Sequence, residues 1–388
     1  MSRLFQGGQE QGFDLARFQE QIALSGKSIY LVAGARPNFV KLAPLVWELN
    51  SRQEIPFQIV HTGQHYDLAM SQAFFDILNI PAPDINLEVG SGTQSLQTAR
   101  ILERFDGLLE EKPPSAVVVF GDVNSTLACS LAAAKRMLPV VHVEAGLRSY
   151  DRSMPEEINR LVTDALSDLL LVSEKSGLIN LKNEGIPDEK VRLVGNIMID
   201  SLLRMQPKAL ERPILAQSGL EPDQYALLTL HRPSNVDDPG TLLRLLNLFA
   251  ELSHKLPIVF PVHPRTKKQI NSLGYTTPTT FNMMEPVDYL DSICLQAQAK
   301  LVLTDSGGIQ EETSCLGVPC LTLRKNTERP ITVELGTSTI VGTDENLIRD
   351  NFEKILAGCY KHGKPIPLWD GHTAERVANC LQNLLLGE

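Results

Sequence analysis

The sequence is short of cysteine, of long apolar runs and of positive charge. Its six cysteines include no CxxC pair and no Cys/His grouping at zinc spacing, so they predict the reduced, buried thiols of a cytosolic protein rather than a disulfide scaffold. No stretch reaches the roughly 18 apolar residues that a membrane span needs, and residues 1–27 contain no segment of signal-peptide type. We therefore expect a cytoplasmic protein that does not insert into membranes.

Positive charge is in deficit, because 36 Lys and Arg residues face 46 Asp and Glu residues, for a formal net charge of −10. No Lys/Arg stripe is available to neutralise the phosphates of a nucleic acid, so we expect no nucleic-acid partner. A complete GxGxxG fingerprint and a metal-binding carboxylate motif are also missing. We expect neither a redox cofactor nor a metal.

The chain does contain two series of six short apolar runs, separated by stretches of helix length. The first series begins at Ser28, Phe57, Ala116, Val140, Leu169 and Val191, and the second at Tyr225, Ile258, Phe281, Lys300, Pro319 and Thr339. Strands that are apolar on both faces predict parallel sheets covered by helices. The predicted fold class is therefore α/β, with two Rossmann-like, doubly wound domains facing a cleft.

A polar, proline-containing stretch that begins near Gln206 marks the boundary between the two series. The predicted divisions are an N-terminal extension over residues 1–27, a first domain over 28–205, a second domain over 206–369 and a C-terminal helix over 370–388. The last segment is assigned to a helix because its apolar residues recur at helical spacing.

The residues that follow each strand carry the chemistry, because ligands of open α/β sheets bind beyond the carboxyl ends of the strands. Asp122 and Glu144 end two strands of the first series, and Glu156 opens a helix with Arg160 one turn later. Taken singly, Asp122 suits a helix cap, and Glu156 with Arg160 suits a helix-stabilising ion pair. Three carboxylates that converge on one cleft edge instead favour an acid and a base, since burial and repulsion separate their pKa values.

Cationic and imidazole side chains also follow strands in both halves. Arg36 and Lys41 stand at a strand-to-helix turn, where they suit either a phosphate site or an ordinary turn with solvated charges. His231 and His263 follow consecutive strands of the second series. A lone histidine is more often structural, but two at neighbouring strand ends favour a shared site.

The strongest phosphate signal is LTDSGGIQEE. After a strand, Ser306, Gly307 and Gly308 open a helix whose backbone N–H groups suit a diphosphate. Glu312, one turn further on, is placed to accept two ribose hydroxyls, and Arg329 is expected near the next strand end. A diphosphate and ribose site between two Rossmann-like domains is typical of sugar-nucleotide enzymes.

Nine motifs occur in order from about Ser28 onward: GARPNFVKLAPL, TGQHYD, GDVNSTLA, HVEAGLRS, MPEEINR, TLHRPSN, PVHPRT, LTDSGGIQEE and TERP. Together they resemble the non-hydrolysing UDP-N-acetylglucosamine (UDP-GlcNAc) 2-epimerase family. The resemblance implies a glycosyltransferase B-type fold, a homodimer, and a final helix that crosses back to the first domain. It also implies interconversion of UDP-GlcNAc and UDP-N-acetylmannosamine (UDP-ManNAc), by elimination of UDP to 2-acetamidoglucal and its re-addition.

The resemblance also gives the candidate residues their roles. Asp122, Glu144 and Glu156 match the family's acid/base carboxylates, with the acid and the base not distinguished, and His231 matches its catalytic histidine near the diphosphate. The positions that match substrate-binding residues are Arg36, Lys41, Arg160, His263, Ser306, Gly307, Gly308, Glu312 and Arg329.

A second ligand pocket is the remaining implication. Gln64 and His65 match a loop beside which UDP-GlcNAc activates many bacterial members of the family. Tyr66 and Asp67, which follow in this sequence, argue against such activation.

Other functions stay open at this point. A hydrolysing relative would release UDP and free N-acetylmannosamine, and a 2-epimerase of the same type could act on a modified UDP-sugar such as a uronic acid derivative. A B-type glycosyltransferase would also suit SGGIQEE, although the three carboxylates of the first domain argue against it. A non-catalytic sugar-nucleotide sensor would need no acid/base set.

Overall fold

The computed structural model describes residues 28–63 and 74–386, with only the backbone described at Arg36 and Leu386. The predicted N-terminal extension over residues 1–27 lies outside the described residues, as do Gln64 and His65. Within the described ranges, no helix is both long enough and apolar enough to cross a membrane.

The first sheet has seven parallel strands in the order β3-β2-β1-β4-β5-β6-β7. They are β1 (Ile29–Ala33), β2 (Phe57–His61), β3 (Ile85–Asn86), β4 (Ala116–Phe120), β5 (Val140–Ala145), β6 (Leu169–Val172) and β7 (Val191–Leu193). All six runs of the first predicted series form strands. The unpredicted strand, β3, has two residues at the sheet edge and is too short to produce a periodic pattern.

The second sheet has six parallel strands in the order β10-β9-β8-β11-β12-β13. They are β8 (Ala226–Thr229), β9 (Ile258–Pro261), β10 (Phe281–Met284), β11 (Leu301–Thr304), β12 (Cys320–Thr322) and β13 (Ser338–Ile340). Each coincides with a run of the second predicted series, so the predicted pair of doubly wound sheets is confirmed.

Helices connect the strands and cover both sheets. Those up to the second sheet are α1 (Arg36–Arg52), α2 (Gln94–Glu111), α3 (Asn124–Lys135), α4 (Pro155–Leu166), α5 (Lys175–Asn183), α6 (Ile197–Leu210) and α7 (Ile214–Ser218). Those that follow are α8 (Pro233–Val236), α9 (Pro239–Leu252), α10 (Pro264–Ser272), α11 (Tyr289–Ala297), α12 (Gly307–Leu316), α13 (Ile331–Glu334), α14 (Glu345–Leu356) and α15 (Thr373–Leu386).

Apolar cores lie on both faces of each sheet. Along β1, Ile29 and Leu31 enter one core while Tyr30 and Val32 enter the other. Successive side chains of a strand point to opposite faces, so a strand with helices on both sides must be apolar at every position. This is the reason that the strand sequences show continuous apolar runs rather than alternation.

Two helices tie the halves of the chain together. Helix α6 runs through the predicted boundary at residue 206, and the Ser201 hydroxyl on it donates to the Val40 carbonyl oxygen of α1 at 2.5 Å. Helix α15 returns to the first sheet, where Val377 and Leu381 are fully buried in the same core as Ile29. The numerical limits of the two domains stay a prediction.

Candidate functional site

The candidate site lies where the strand order of each sheet reverses. In the first sheet β1 lies between β2 and β4, and in the second sheet β8 lies between β9 and β11. Such reversals open a crevice beyond the carboxyl ends of the strands, because the adjoining helices pack on opposite faces. The loops that follow the strands of the two sheets meet across this crevice. The side-chain amide of Asn326, after β12, donates to the carbonyl oxygen of Ser149, after β5, at 3.2 Å.

Glu144 occupies an irregular position at the end of β5. Its φ is 75°, and the pairing register with β6 shifts between Val143 and Ala145. A left-handed backbone at a non-glycine residue is strained, and such strain is typical of functional positions. The carboxylate is buried, its Oε1 lies 2.9 Å from Nη2 of Arg329, and its Oε2 pairs with Nζ of Lys41. One carboxylate is thus held by cations that come from both halves of the chain.

Asp122 follows β4 and forms an ion pair with Arg160 of α4. The same guanidinium donates through Nη1 to Glu157 Oε2 at 2.9 Å. Burial opposes the ionisation of Asp122, but the positive charges of Arg160, Lys41 and Arg329 outweigh it and hold the Asp122 pKa below its ordinary value. Asp122 is therefore a carboxylate at neutral pH.

Lys41 connects the two carboxylate-bearing loops. It lies on α1 and is 6% exposed. A Cβ atom added to Gly121, whose φ is 64°, would lie only 2.7 Å from Nζ of Lys41. Glycine is required here both for the left-handed backbone and for the close approach of the ammonium group.

Arg329 is the centre of a buried cluster of acids. Its Nε lies 2.7 Å from Oε1 of Glu311, and its Nη1 lies 2.6 Å from Oε1 of Glu328. Burial disfavours the charged form of Glu311 more strongly than the positive charge of Arg329 favours it. The pKa of Glu311 is therefore raised to about 8, and this residue is largely protonated at neutral pH. For Glu328, burial is outweighed by Arg329, Arg324 and Arg160, which hold its pKa far below the ordinary value.

The start of α12 is shaped by the same arginine. A Cβ atom on Gly307 would lie 2.7 Å from Nη1 of Arg329 and 2.9 Å from Oε1 of Glu328, so only glycine fits. Ser306, at the N-cap, makes no capping hydrogen bond through its side chain. The first N–H groups of a helix have no partner within it and carry partial positive charge, so this end of α12 and Arg329 together suit an anionic group.

The two predicted histidines are neighbours, with ring centroids 6.3 Å apart. Nδ1 of His231 lies 2.9 Å from Oδ1 of Asp305, a fully buried carboxylate. His263 caps α10, where its Nδ1 accepts from the Arg265 backbone N–H at 3.3 Å. Burial and then the neighbouring His231 lower the pKa of His263, so His263 is neutral at neutral pH.

Glu312 is buried on α12. Its Oε2 accepts from the side-chain amide of Gln296 at 2.7 Å, and burial raises its pKa to about 7. The Tyr289 pKa is raised well above its usual value by burial and then by Glu312. Glu312 therefore changes charge near neutral pH while remaining a hydrogen-bond acceptor.

The structure brings five of the predicted residues into one ion-pair network and leaves Glu156 outside it. The network links Lys41, Asp122, Glu144, Arg160 and Arg329. Glu156 is half-buried and makes no hydrogen bond or ion pair with any residue in the described ranges.

The alternative of a helix ion pair between Glu156 and Arg160 is wrong. Arg160 bonds instead to Asp122 and to the buried Glu157. The side chain of Arg36 is not described, so its predicted role stays a prediction, as does that of Gln64 and His65.

Sequence reasoning missed four buried acids, each adjacent to a residue or motif already singled out. Asp305 precedes Ser306, and the others are Glu157 beside Glu156, Glu311 beside Glu312 and Glu328 beside Arg329. The signal in the sequence that could have identified these acids was their position directly beside a residue or motif already singled out. Which of two adjacent carboxylates turns inward depends on the packing of the helix or loop, which the sequence pattern does not specify.

Two doubly wound domains that face a cleft lined by acids and arginines define a protein of the glycosyltransferase B-type fold. The family model described as UDP-N-acetylglucosamine 2-epimerase matches residues 47–382. This chain belongs to the UDP-N-acetylglucosamine 2-epimerase family.

Individual relatives agree with this assignment. A UDP-N-acetylglucosamine 2-epimerase homolog of Methanococcus maripaludis is 41% identical, over 92% of this chain and 99% of the relative. A UDP-2,3-diacetamido-2,3-dideoxy-D-glucuronate 2-epimerase of Pseudomonas aeruginosa is 38% identical, over 92% and 99%. The crystal structure of a Methanocaldococcus jannaschii UDP-GlcNAc 2-epimerase in complex with UDP-GlcNAc and UDP superposes with a TM-score of 0.84 at 39% identity, over 92% of this chain and 99% of that one.

Proposed function

We propose that the protein is a non-hydrolysing 2-epimerase that interconverts UDP-GlcNAc and UDP-ManNAc. The observation that carries this proposal is the 2.9 Å ion pair between Glu144 and Arg329. It sets a candidate acid/base carboxylate of the first half against a cation that lies at the start of α12 in the second half. A reaction that moves a proton at one carbon while a diphosphate leaves its neighbour needs both groups in one place. The ligands of the M. jannaschii structure support the same substrate class.

The chemistry explains why several carboxylates are needed. The proton on C2 of the sugar is not acidic, so direct inversion through a carbanion faces a high barrier. In the elimination, a base removes the C2 proton, a C1–C2 double bond forms, and the C1–O bond breaks with its electron pair going to UDP. Re-addition of UDP at C1, with a proton delivered to the opposite face of C2, yields the epimer and consumes no water. We assign the acid and base roles to Asp122, Glu144 and Glu156.

Cations must neutralise the charge that develops on the departing diphosphate. We assign this role to Lys41, Arg329 and His231. The remaining binding residues in the proposal are Arg36, Arg160, His263, Ser306, Gly307, Gly308 and Glu312. UDP has to stay bound between the two half-reactions, and closure of the domains over the cleft would retain it.

The test is an NMR assay of the protein with UDP-GlcNAc alone in D2O. We expect UDP-ManNAc that carries deuterium at C2, because the proton re-added at that carbon comes from a group in exchange with solvent. Accumulation of free N-acetylmannosamine would instead identify a hydrolysing enzyme. A requirement for an added acceptor would identify a glycosyltransferase, and binding without conversion would identify a sensor.

A second candidate is epimerisation of a modified UDP-sugar. It is favoured by the P. aeruginosa relative, which acts by its name on a diacetamido uronate and is nearly as similar as the M. maripaludis relative, with 38% and 41% identity. The same NMR assay with a panel of UDP-sugars separates the two candidates. A kcat/KM for the diacetamido uronate at least tenfold above that for UDP-GlcNAc would establish the second one.

We also propose that the protein is a homodimer. Helix α4 exposes Ile158 and Val162, whose exposed fractions are 44% and 37%. An apolar helix face of this kind is suited to an interface between copies. Light scattering should give twice the chain mass, and the double variant Ile158→Glu, Val162→Glu should give one chain mass. A wild-type protein of one chain mass would contradict the proposal.

A further inference from the structure

Asp305 is buried beneath His231 and is surrounded by hydrogen-bond donors. Its Oδ2 accepts from the backbone N–H groups of His231 at 3.0 Å and Arg232 at 2.9 Å, and from Asn235 Nδ2 at 3.1 Å. Its Oδ1 lies 3.1 Å from the His231 backbone nitrogen and 2.9 Å from Nδ1 of the His231 ring. Main chain and side chain of His231 are thus both held by one carboxylate.

We propose that Asp305 is a positioning residue that holds the His231 ring proton on Nδ1 and so leaves Nε2 free to take up a proton from solvent, with which it supports the diphosphate of the substrate. The proposal rests on the function proposed above, because it gives His231 a role at the departing diphosphate. It adds a residue that neither the motifs nor the relatives' names assign.

The hydrogen bond between Asp305 and the His231 ring requires the Nδ1–H tautomer. An ionised carboxylate only accepts hydrogen bonds, so the proton between His231 Nδ1 and Asp305 has to reside on the imidazole. Burial opposes the charge on Asp305, but the hydrogen bond from His231 and those from the backbone N–H groups keep its pKa below the ordinary value. The second ring nitrogen, Nε2, makes no hydrogen bond with a residue in the described ranges, and 40% of the His231 side chain is exposed.

This arrangement has a chemical consequence for His231. When Nε2 is protonated, the ring becomes an imidazolium whose two N–H groups point to Asp305 and to the cleft. A buried carboxylate stabilises that cation, as the aspartate of a serine protease stabilises its histidine. A cation at Nε2 would support the departing diphosphate, and neutral His263 adds no repelling charge from 6.3 Å away.

Asp305→Asn gives a sharp test, because its amide has one acceptor and one donor end. The Oδ2 position faces three donors, so we expect the amide oxygen to stay there. The NH2 group would then face His231 Nδ1 and require it to accept, which forces the Nε2–H tautomer. In that tautomer Nε2 cannot take up a further proton without the carboxylate that stabilises the imidazolium. In the serine protease precedent, where proton uptake at Nε2 is lost in the same way, the corresponding change lowers kcat about 10⁴-fold with the geometry intact.

The experiment combines kinetics with 15N NMR of histidine side chains in the full-length protein. The signal of His231, one of eight histidines, is assigned by its loss in His231→Gln. We expect the wild type to show Nδ1–H, and Asp305→Asn to show Nε2–H with kcat lowered about 10²–10⁴-fold and KM changed less than about threefold. Asp238→Asn is the matched control, since Asp238 caps α9 through the Thr241 N–H and the change should leave both readouts unaltered.

A double variant separates positioning from a general loss of structure. In a His231→Gln background, Asp305→Asn should lower kcat by less than about threefold further, because residues that act as a unit are not additive. Additive losses would overturn the proposal, as would an Nε2–H wild type or an unchanged tautomer in Asp305→Asn. The NMR measurement of the tautomer does not require catalysis. A wild type that shows Nδ1–H but converts no UDP-sugar would therefore refute the proposed function, while it would still support the role of Asp305 in fixing the tautomer.

Discussion

Arg329→Gln should destabilise the protein far more than the loss of a surface arginine. The guanidinium lies between three carboxylates, at 2.9 Å from Glu144, 2.7 Å from Glu311 and 2.6 Å from Glu328. All four side chains are nearly inaccessible to solvent, with exposed fractions between 1% and 6%. The neutral Gln side chain would leave these acids without their shared cation.

The size of the effect follows from what each acid retains. Glu144 keeps Lys41, and Glu328 keeps Arg324 at 2.7 Å, so neither becomes an isolated charge. Glu311 has a pKa of about 8 and is largely neutral at pH 7. Breaking one buried ion pair costs about 3–5 kcal/mol, and these compensations place Arg329→Gln near the lower end, at about 3 kcal/mol.

The expected pH dependence adds a second test. In the wild type Glu311 ionises above pH 8, where Arg329 stabilises the new charge. Without Arg329 the pKa of Glu311 rises further, so the native variant keeps a proton that the unfolded chain has released. Its free energy of unfolding should therefore continue to fall above pH 8, and the difference from wild type should be larger at pH 9 than at pH 6.5.

Urea unfolding followed by circular dichroism and tryptophan fluorescence measures both quantities. Arg349→Gln is the control, because it removes a partly exposed ion pair with Glu251 and should cost about 0–1 kcal/mol. If Arg329→Gln unfolds within about 1 kcal/mol of that control at both pH values, the buried network is not a source of stability and the reasoning fails.

Three further changes test the site. Asp122→Asn and Glu144→Gln should each lower kcat by about 10²–10⁴-fold while UDP binding, measured by calorimetry, is retained; near-normal turnover in either would remove its catalytic assignment. Glu312→Gln should raise the melting temperature relative to wild type at pH 8 but not at pH 4.5: burial raises the Glu312 pKa to about 7, so the native protein loses up to about 3 kcal/mol as pH rises from 4.5 through 7, and the variant does not. An equal shift at both pH values would contradict this account. Gly307→Ala should lower the melting temperature and raise KM for the UDP-sugar about tenfold, since a Cβ 2.7 Å from Nη1 of Arg329 displaces that buried side chain from its ion pairs; an unchanged KM would show that Arg329 does not contact the substrate.

The sequence by itself determined the architecture and the position of the site at the carboxyl ends of the strands. Strands buried on both faces have to be apolar at every position, so twelve of the thirteen described strands were recognisable as continuous runs, β3 being too short. Carboxyl ends of parallel strands gather at one edge of a sheet, so Asp122, Glu144 and His231 could be placed at a cleft from their positions after strands.

Only the tertiary structure decided which partner each charge takes. The bond between Glu144 and Arg329 joins residues 185 positions apart, a separation at which no periodic pattern relates two side chains. Arg160 is one turn from Glu156 but bonds to Asp122 and Glu157. Leaving the buried Glu157 carboxylate unpaired would cost far more than leaving the half-buried Glu156, which water can reach. Asp305 and His231 are partners because they follow β11 and β8, which are neighbours in the sheet but far apart in the sequence. Local pattern specifies which residues reach the cleft, while the cost of burying charge specifies how they pair once they meet there.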